Sequence, residues 1–280
     1  MGRSAILLFL AAGLLQADER TQRLAARLAE EASALQQIAP KLLGVETLEQ
    51  RAIKPRGGLR IRVGKAATST DPDWQTRKIV SQYGFTMFAA DHSIHELRQV
   101  ASVDGKPVKN KGAEALARII LATEDSRKRE LLEQFQAYGL AGAATDFGPL
   151  LLLFTPASIG RYEFSFLRNA NLDNTPALVF SYKQIGGPNP MTVIDSQGKA
   201  EQLEITGEVW VRADYLPLRV TIASEASNVR QEGIVDYALS PFGTLLPVAT
   251  HHRELHDGKP AVENTFTYSD FKRFDKDSSK

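Results

Sequence analysis

The sequence predicts an α+β protein whose core is a curved antiparallel sheet, an incomplete β-barrel covered on its concave face by helices. Three observations predict it. Residues 202–273 read as a succession of apolar-alternating segments parted by turn signals. The links between those segments are far shorter than a parallel crossover, which needs about a dozen residues or more, so neighbouring strands run antiparallel. A sheet of that length has to curl to hide one greasy face, and the N-terminal helix and a helical insert at about 111–140 are the candidates to roof it.

The chain opens with Arg3 and then Ala5–Leu15, which carries no charge. A basic start, a short apolar run and Ala17 at a cleavage position describe a secretory peptide over residues 1–17. A spanning helix needs roughly 20 apolar residues, so no transmembrane span is expected in the mature chain. Leu15 stands where a small residue is preferred, which leaves an uncleaved membrane-surface anchor as the alternative. With no cysteine there is neither a lipid-modified cysteine nor a disulfide framework. The expected location is a bacterial periplasm or the extracellular space.

Residues 18–274 are expected to form a single domain, followed by a polar tail at 275–280. The whole chain holds 34 basic and 33 acidic residues, and loss of Arg3 leaves the two equal. That balance argues against long-range steering of nucleic acid or anionic lipid and leaves a local charged patch open.

Within the domain, Leu24, Leu28, Leu35, Ile38 and Leu42 recur at helical spacing, predicting an amphipathic helix from Asp18 to about Leu43 with Pro40 near its end. Strands follow at Val45–Ile53 and Leu59–Gly64, divided by the turn at 55–58, and 68–73 reads as a loop. Ile79–Ala89 alternates through Tyr83, Phe85 and Met87, and Ile94–Val103 is its hairpin partner, ending at Asp104-Gly105. Ala113–Thr123 and Ser126–Tyr138 are two helices, the second capped by Asp125 or Ser126. Leu150–Phe154 reads as a short buried helix opened by Pro149, with a buried strand as the alternative. Tyr162, Phe164 and Phe166 then alternate with polar residues, Ala177–Gln184 is a further strand, and Gly186–Pro190 breaks it. The later apolar rows are Leu203, Ile205, Val209 and Val211; Leu216, Leu218, Val220 and Ile222; Val229, Val235, Tyr237 and Leu239; Leu246 and Val248; and Val262, Phe266 and Tyr268.

No Gly-x-Ser-x-Gly elbow, His-Glu-x-x-His or P-loop is present, so no catalytic residue, metal site or cofactor is assigned. His92 and His95 read as lying in a loop with Asp91 and Glu96, a candidate metal site outweighed by ordinary surface or turn histidines. His252 and His256 lie about 13 Å apart along a strand, too far for one ion, and they read with His251 as surface or turn residues. The candidate lining of an apolar chamber is Tyr83, Phe85, Tyr162, Phe164, Phe166, Trp210, Phe266 and Tyr268, with plain core packing as the alternative. Trp210 stands apart because it shares its face with Glu204, Thr206, Glu208 and Arg212. Its indole is expected either under a helix or at a binding surface.

The succession Gly207–Val211, Leu216–Val220, Phe242–Pro247 and Phe266–Phe271 resembles the later strands of exported proteins with a LolA/LolB-like half-barrel, the lipoprotein-carrier superfamily. The whole chain also resembles a group of uncharacterised exported proteins from soil bacteria, through the strand, Asp-Gly turn and helical insert over Val80–Tyr138. The resemblance implies an open barrel wrapped over helices, with a hydrophobic cavity for acyl chains. This chain departs from the carriers in length and in the insert, and no binding residue transfers. The expected function is an exported, non-enzymatic envelope protein that binds a lipid or other hydrophobic ligand. An envelope scaffold with a protein partner and a filled core is the alternative, and a hydrolase the third.

Overall fold

The computed structural model describes residues 4–53, 73–88, 94–109, 112–140, 146–194, 200–226 and 228–274, without the side chains of 4–18, 193 and 194. The strand expected at Leu59–Gly64, the turn before it, the loop at 68–72, His92 and the polar tail lie outside the described residues.

The first half of the chain forms α1 (Ser4–Ile38), β1 (Leu42–Ile53), β2 (Trp74–Met87), β3 (Ile94–Val103), β4 (Lys106–Pro107), α2 (Gly112–Leu121) and α3 (Ser126–Tyr138). A 3-10 turn at Leu150–Phe154 leads into β5 (Tyr162–Leu172), β6 (Thr175–Gln184), β7 (Met191–Ile194) and β8 (Ala200–Leu203). The chain then adds β9 (Thr206–Val211), β10 (Pro217–Ala226), β11 (Val229–Leu239), β12 (Leu245–His256) and β13 (Lys259–Arg273).

Eleven strands make one antiparallel sheet in the order β4-β3-β2-β1-β13-β12-β11-β10-β9-β6-β5, and β7 and β8 form a separate hairpin. The sheet is α+β, curved and open, because β4 and β5 end it without pairing to each other. Its tight hairpins turn on paired residues with positive φ: Asp104-Gly105, Asp173-Asn174 and Asp257-Gly258. That geometry matches the right-handed twist of the flanking strands.

The apolar stripe of α1 lies against the concave face, where Leu24, Leu28, Ala32 and Leu35 join one core with Leu48, Phe180, Val220 and Phe266. The helix stops at Ile38, four residues before Leu42, which starts β1 instead of closing the helical stripe. Pro40 lies in the 3-10 turn between them, where its missing amide cannot continue the helical ladder. Leu150–Phe154 is helical, as a 3-10 turn with Pro149 as its cap residue. Asp125 does not cap α3 through its side chain. Its carboxylate faces Lys128 instead, whose ammonium donates to the Met87 carbonyl at 2.7 Å.

The insert divides between the two faces. Leu116 and Ile120 of α2 pack with Leu43 and Leu97, which oppose Gly84 across the ladders on the outer face of β1–β3. Gly84 makes this possible, because a Cβ there would stand 2.7 Å from Ile120 Cδ1. α3 then passes the short β4 edge, and its C-terminal end reaches the concave side. There the Tyr138 carbonyl accepts from Arg77 and the Leu140 amide donates to Gln50 Oε1.

Candidate functional site

The concave face is read from the cross-strand registers. Tyr83 opposes Arg98, Glu46 lies between Ser81 and Tyr268, Leu48 between Ile79 and Phe266, and Gln50 beside Asn264. The same face continues through Thr250 and His252, Val235, Val220, Val209 and Phe180 to Phe166 on β5. Seven of the eight aromatic candidates share this face, in two groups at opposite ends of the sheet.

Tyr83, Phe85, Phe266 and Tyr268 form the first group, with Tyr83 ring centroids 5.0 Å from both Phe85 and Tyr268. Tyr162, Phe164 and Phe166 form the second, continued by Phe180 and Tyr182. Phe154 of the 3-10 turn stands against it, 5.3 Å from Tyr162, 5.5 Å from Phe164 and 5.1 Å from Tyr182. Edge-to-face rings at these spacings are close-packed. The space beneath the sheet is thus occupied by α1 and by Leu150, Leu151 and Phe154. At the β5 end the cover thins. Phe164 and Phe166 are half-buried, and Arg20 of α1 lies 5.2 Å above the Phe166 ring.

Trp210 is not part of this lining. It pairs with Val179 and Arg219 on the outer face, while its neighbour Val209 turns inward. Two guanidinium groups, from Arg168 and Arg219, lie 5.3 and 5.9 Å from its ring, and its indole N–H donates to Glu208 at 2.9 Å. Arg168 binds the same carboxylate through both terminal nitrogens, holding Glu208 below the usual carboxylate range. Cations and strand neighbours clothe the indole, not a helix. On this outer face an open groove of about 570 Å³ runs over Glu163, Ser165, Leu167, Ser181 and Lys183.

Two buried polar assemblies cross the concave face, and the sequence pattern did not reveal them. In the first, Arg98 binds both oxygens of Glu46 at 2.7–3.0 Å and Glu96 at 2.7 Å, while Tyr83 donates to Glu96 at 2.7 Å. Glu96 also accepts the amides of Asp146 and Gly148, which ties the segment before the 3-10 turn to the sheet. Two carboxylates share one guanidinium here. Burial, the largest influence, raises Glu46 to about 6 against the lowering effect of Arg98, and burial also pushes the Tyr83 and Tyr268 hydroxyls up. Phe135 lies 4.6 Å from Arg98 and closes the cluster.

The second is a directional chain. Leu140 N–H donates to Gln50, Gln50 Nε2 to Asn264 at 2.8 Å, and Asn264 Nδ2 meets His252 Nδ1 at 3.0 Å. His252 Nε2 meets Gln231 Oε1 at 2.7 Å, and Gln231 donates to Glu254 at 2.7 Å. A neutral imidazole protonated on Nε2 fits this order. His252 is therefore buried, 7% exposed, rather than a surface residue, and burial lowers it to about 4. His251 and His256 are exposed on β12, and His95 and Glu96 lie in β3 rather than in a loop, His95 pairing with Asp146 at 2.8 Å. Among the described residues no group of three or more His, Asp or Glu could hold a metal ion, and no helix is long and apolar enough to cross a membrane.

Fold and site together define an open, curved antiparallel sheet with a roofed aromatic interior. No family model and no curated protein matches the chain. Among solved structures it is similar to a domain assigned as an outer membrane lipoprotein-sorting protein from Vibrio parahaemolyticus, at 11% identity over 90% of this chain and 94% of that one, with a TM-score of 0.39. A DUF1329 family protein from Desulfovibrio piger follows at 12% identity, 88% and 91% coverage and a TM-score of 0.37. A LolA superfamily protein from Nitrosomonas europaea has 12% identity, 90% and 94% coverage and a TM-score of 0.32. At such scores the likeness carries no weight beside the strand order itself.

Proposed function

We propose that this chain is an exported, non-enzymatic protein of the cell envelope that holds a lipid or other hydrophobic ligand between its curved sheet and its helices. The observation that carries this reading is the half-covered aromatic rim at β5. Phe164 and Phe166 are half-buried at the edge of a row in which Tyr162 and Tyr182 are buried against Phe154, while Phe166 rests on Phe180 beyond the reach of that turn. An acyl chain laid along that rim would remove apolar surface from water at about 25 cal/mol per Å². It would reach deeper only by displacing the short 3-10 turn. Mass spectrometry of lipid extracted from the purified protein, with titration of a fluorescent fatty acid, tests the reading. Saturable uptake that Phe164→Asp abolishes supports it; no co-purifying lipid and no uptake overturns it.

A second reading, an envelope scaffold that binds a protein and no ligand, draws on the filled interior. It gains from a protein partner captured by crosslinking together with a ligand-free interior in the tests above.

A further inference from the structure

We infer that the outer edge of β5 is a docking strand for a second copy of this chain, pairing antiparallel to itself about a two-fold axis at Ser165. The two ends of the sheet are unequal. β4 is two residues long and contains Pro107, a blunted edge that adds no strand. β5 runs eleven residues, Tyr162–Leu172, and among the described residues no strand pairs with its outer side. A free edge of that length is a row of unpaired amides and carbonyls, which proteins ordinarily cover.

The sequence of β5 can pair with itself in a register that brings aromatic residues opposite one another. Antiparallel neighbours must point to the same face, which restricts the choice to registers that match the pleat. Centred on Ser165, Phe164 of each copy opposes Phe166 of the other, twice, on the concave side, where aromatic cross-strand pairs stabilise a sheet. On the outer side Ser165 meets Ser165, and Glu163 meets Leu167 with Arg168 of the second copy next to it. Glu163 is exposed and faces the Arg168–Glu208 pair of the second copy, whose cation is already neutralised, so the outer side adds no ion pair. Leu167, 46% exposed, is the extra residue of a bulge between Phe166 and Arg168, and the bulge sets the limit of the pairing segment. A two-fold contact uses the same edge of both copies and so closes as a dimer, and the blunted β4 edge adds no further strand.

The chain contains no cysteine, so a single Ser165→Cys provides a clean reporter. Directly opposed Cα atoms stand about 4.5–5.5 Å apart in an antiparallel pair, within disulfide reach. Oxidation of S165C is expected to give a covalent dimer. Asn171→Cys, about 40 Å from its symmetry mate in this register at about 3.3 Å per residue, is expected to give none. Wild-type chain should sediment as a dimer at tens of micromolar. Ser165→Lys, an exposed substitution that sets like charges opposite each other across the axis, should weaken it at least tenfold at low salt with an unchanged circular dichroism spectrum. A wild-type chain that stays monomeric at 100 µM, equal crosslinking of S165C and N171C, or a dimer indifferent to S165K overturns the inference. So does a monomer that accepts only a foreign extended peptide on β5. Lipid uptake is measured separately, so loss of either result leaves the other standing.

Discussion

Arg98→Met removes the cation that two buried carboxylates share. Arg98, Glu46 and Glu96 are all within a few per cent of full burial. Breaking a buried pair by removing one partner costs about 3–5 kcal/mol, because the remaining charge is left uncompensated. At pH 7.5 the variant should therefore lose about 3–5 kcal/mol in urea denaturation. The penalty is a charge effect, so it should shrink in acid. In the wild type Glu46 already stands at about 6, raised from 4.5 by burial. A raised acid binds its proton more tightly in the folded state, so its contribution improves as pH falls from above 6 towards 4.5. At about 1.36 kcal/mol per pKa unit, that 1.5-unit rise is worth about 2 kcal/mol. Without Arg98 the lowering influence on Glu46 is gone, and R98M should recover a larger share of its loss between pH 7.5 and 5 than the wild type gains. A loss under about 1 kcal/mol at pH 7.5, or one equal at both pH values, would refute the argument from shared charge.

Three further outcomes are expected. His252, lowered from 6.5 to about 4 by burial, should cost stability as pH falls from 6.5 to 4, by about 3 kcal/mol in all; urea midpoints across that range should lose this slope in His252→Asn. Gly84→Ala should destabilise by about 1–3 kcal/mol, because its Cβ would meet Ile120 Cδ1 and Leu43. Adding Ile120→Ala should restore part of that loss, a coupling that a double-mutant cycle measures. Phe154→Ala should cost about 3–5 kcal/mol and leave a void between Tyr162 and Tyr182; thermal melts and binding of an apolar dye report both effects.

Alternation in the sequence located the strands well, because one face of each is buried and the other wet. It failed where a bulge shifts the pleat. Val248 was placed in an apolar row with Leu246, yet it is 41% exposed, because Asp236 pairs with Ala249 and Tyr237 with Pro247, leaving Val248 as the extra residue. Leu239, 63% exposed, ends β11 beyond the covered part of the sheet. The polar interior was also hidden. Glu46 and Gln50 share their parity with Leu48 on β1, but a period-two pattern does not say which strand lies alongside. Only the pairing of β1 with β13, and of β13 with β12, brings Gln50, Asn264 and His252 into line. Trp210 was legible as an outward residue by its polar neighbours, and its partners Arg168 and Arg219 lie on strands that sequence order does not place together.

The middle of the sheet joins β1 to β13, so Leu42–Ile53, paired on one side with β2, finds its second neighbour in the final described strand. The molecule is therefore zipped shut by its final segment. Until Lys259–Arg273 has been made, the four strands β1–β4 and the run β5–β12 have no ladder in common. The ladder that joins the two parts of the sheet brings together residues some two hundred positions apart, a slow kind of contact to form.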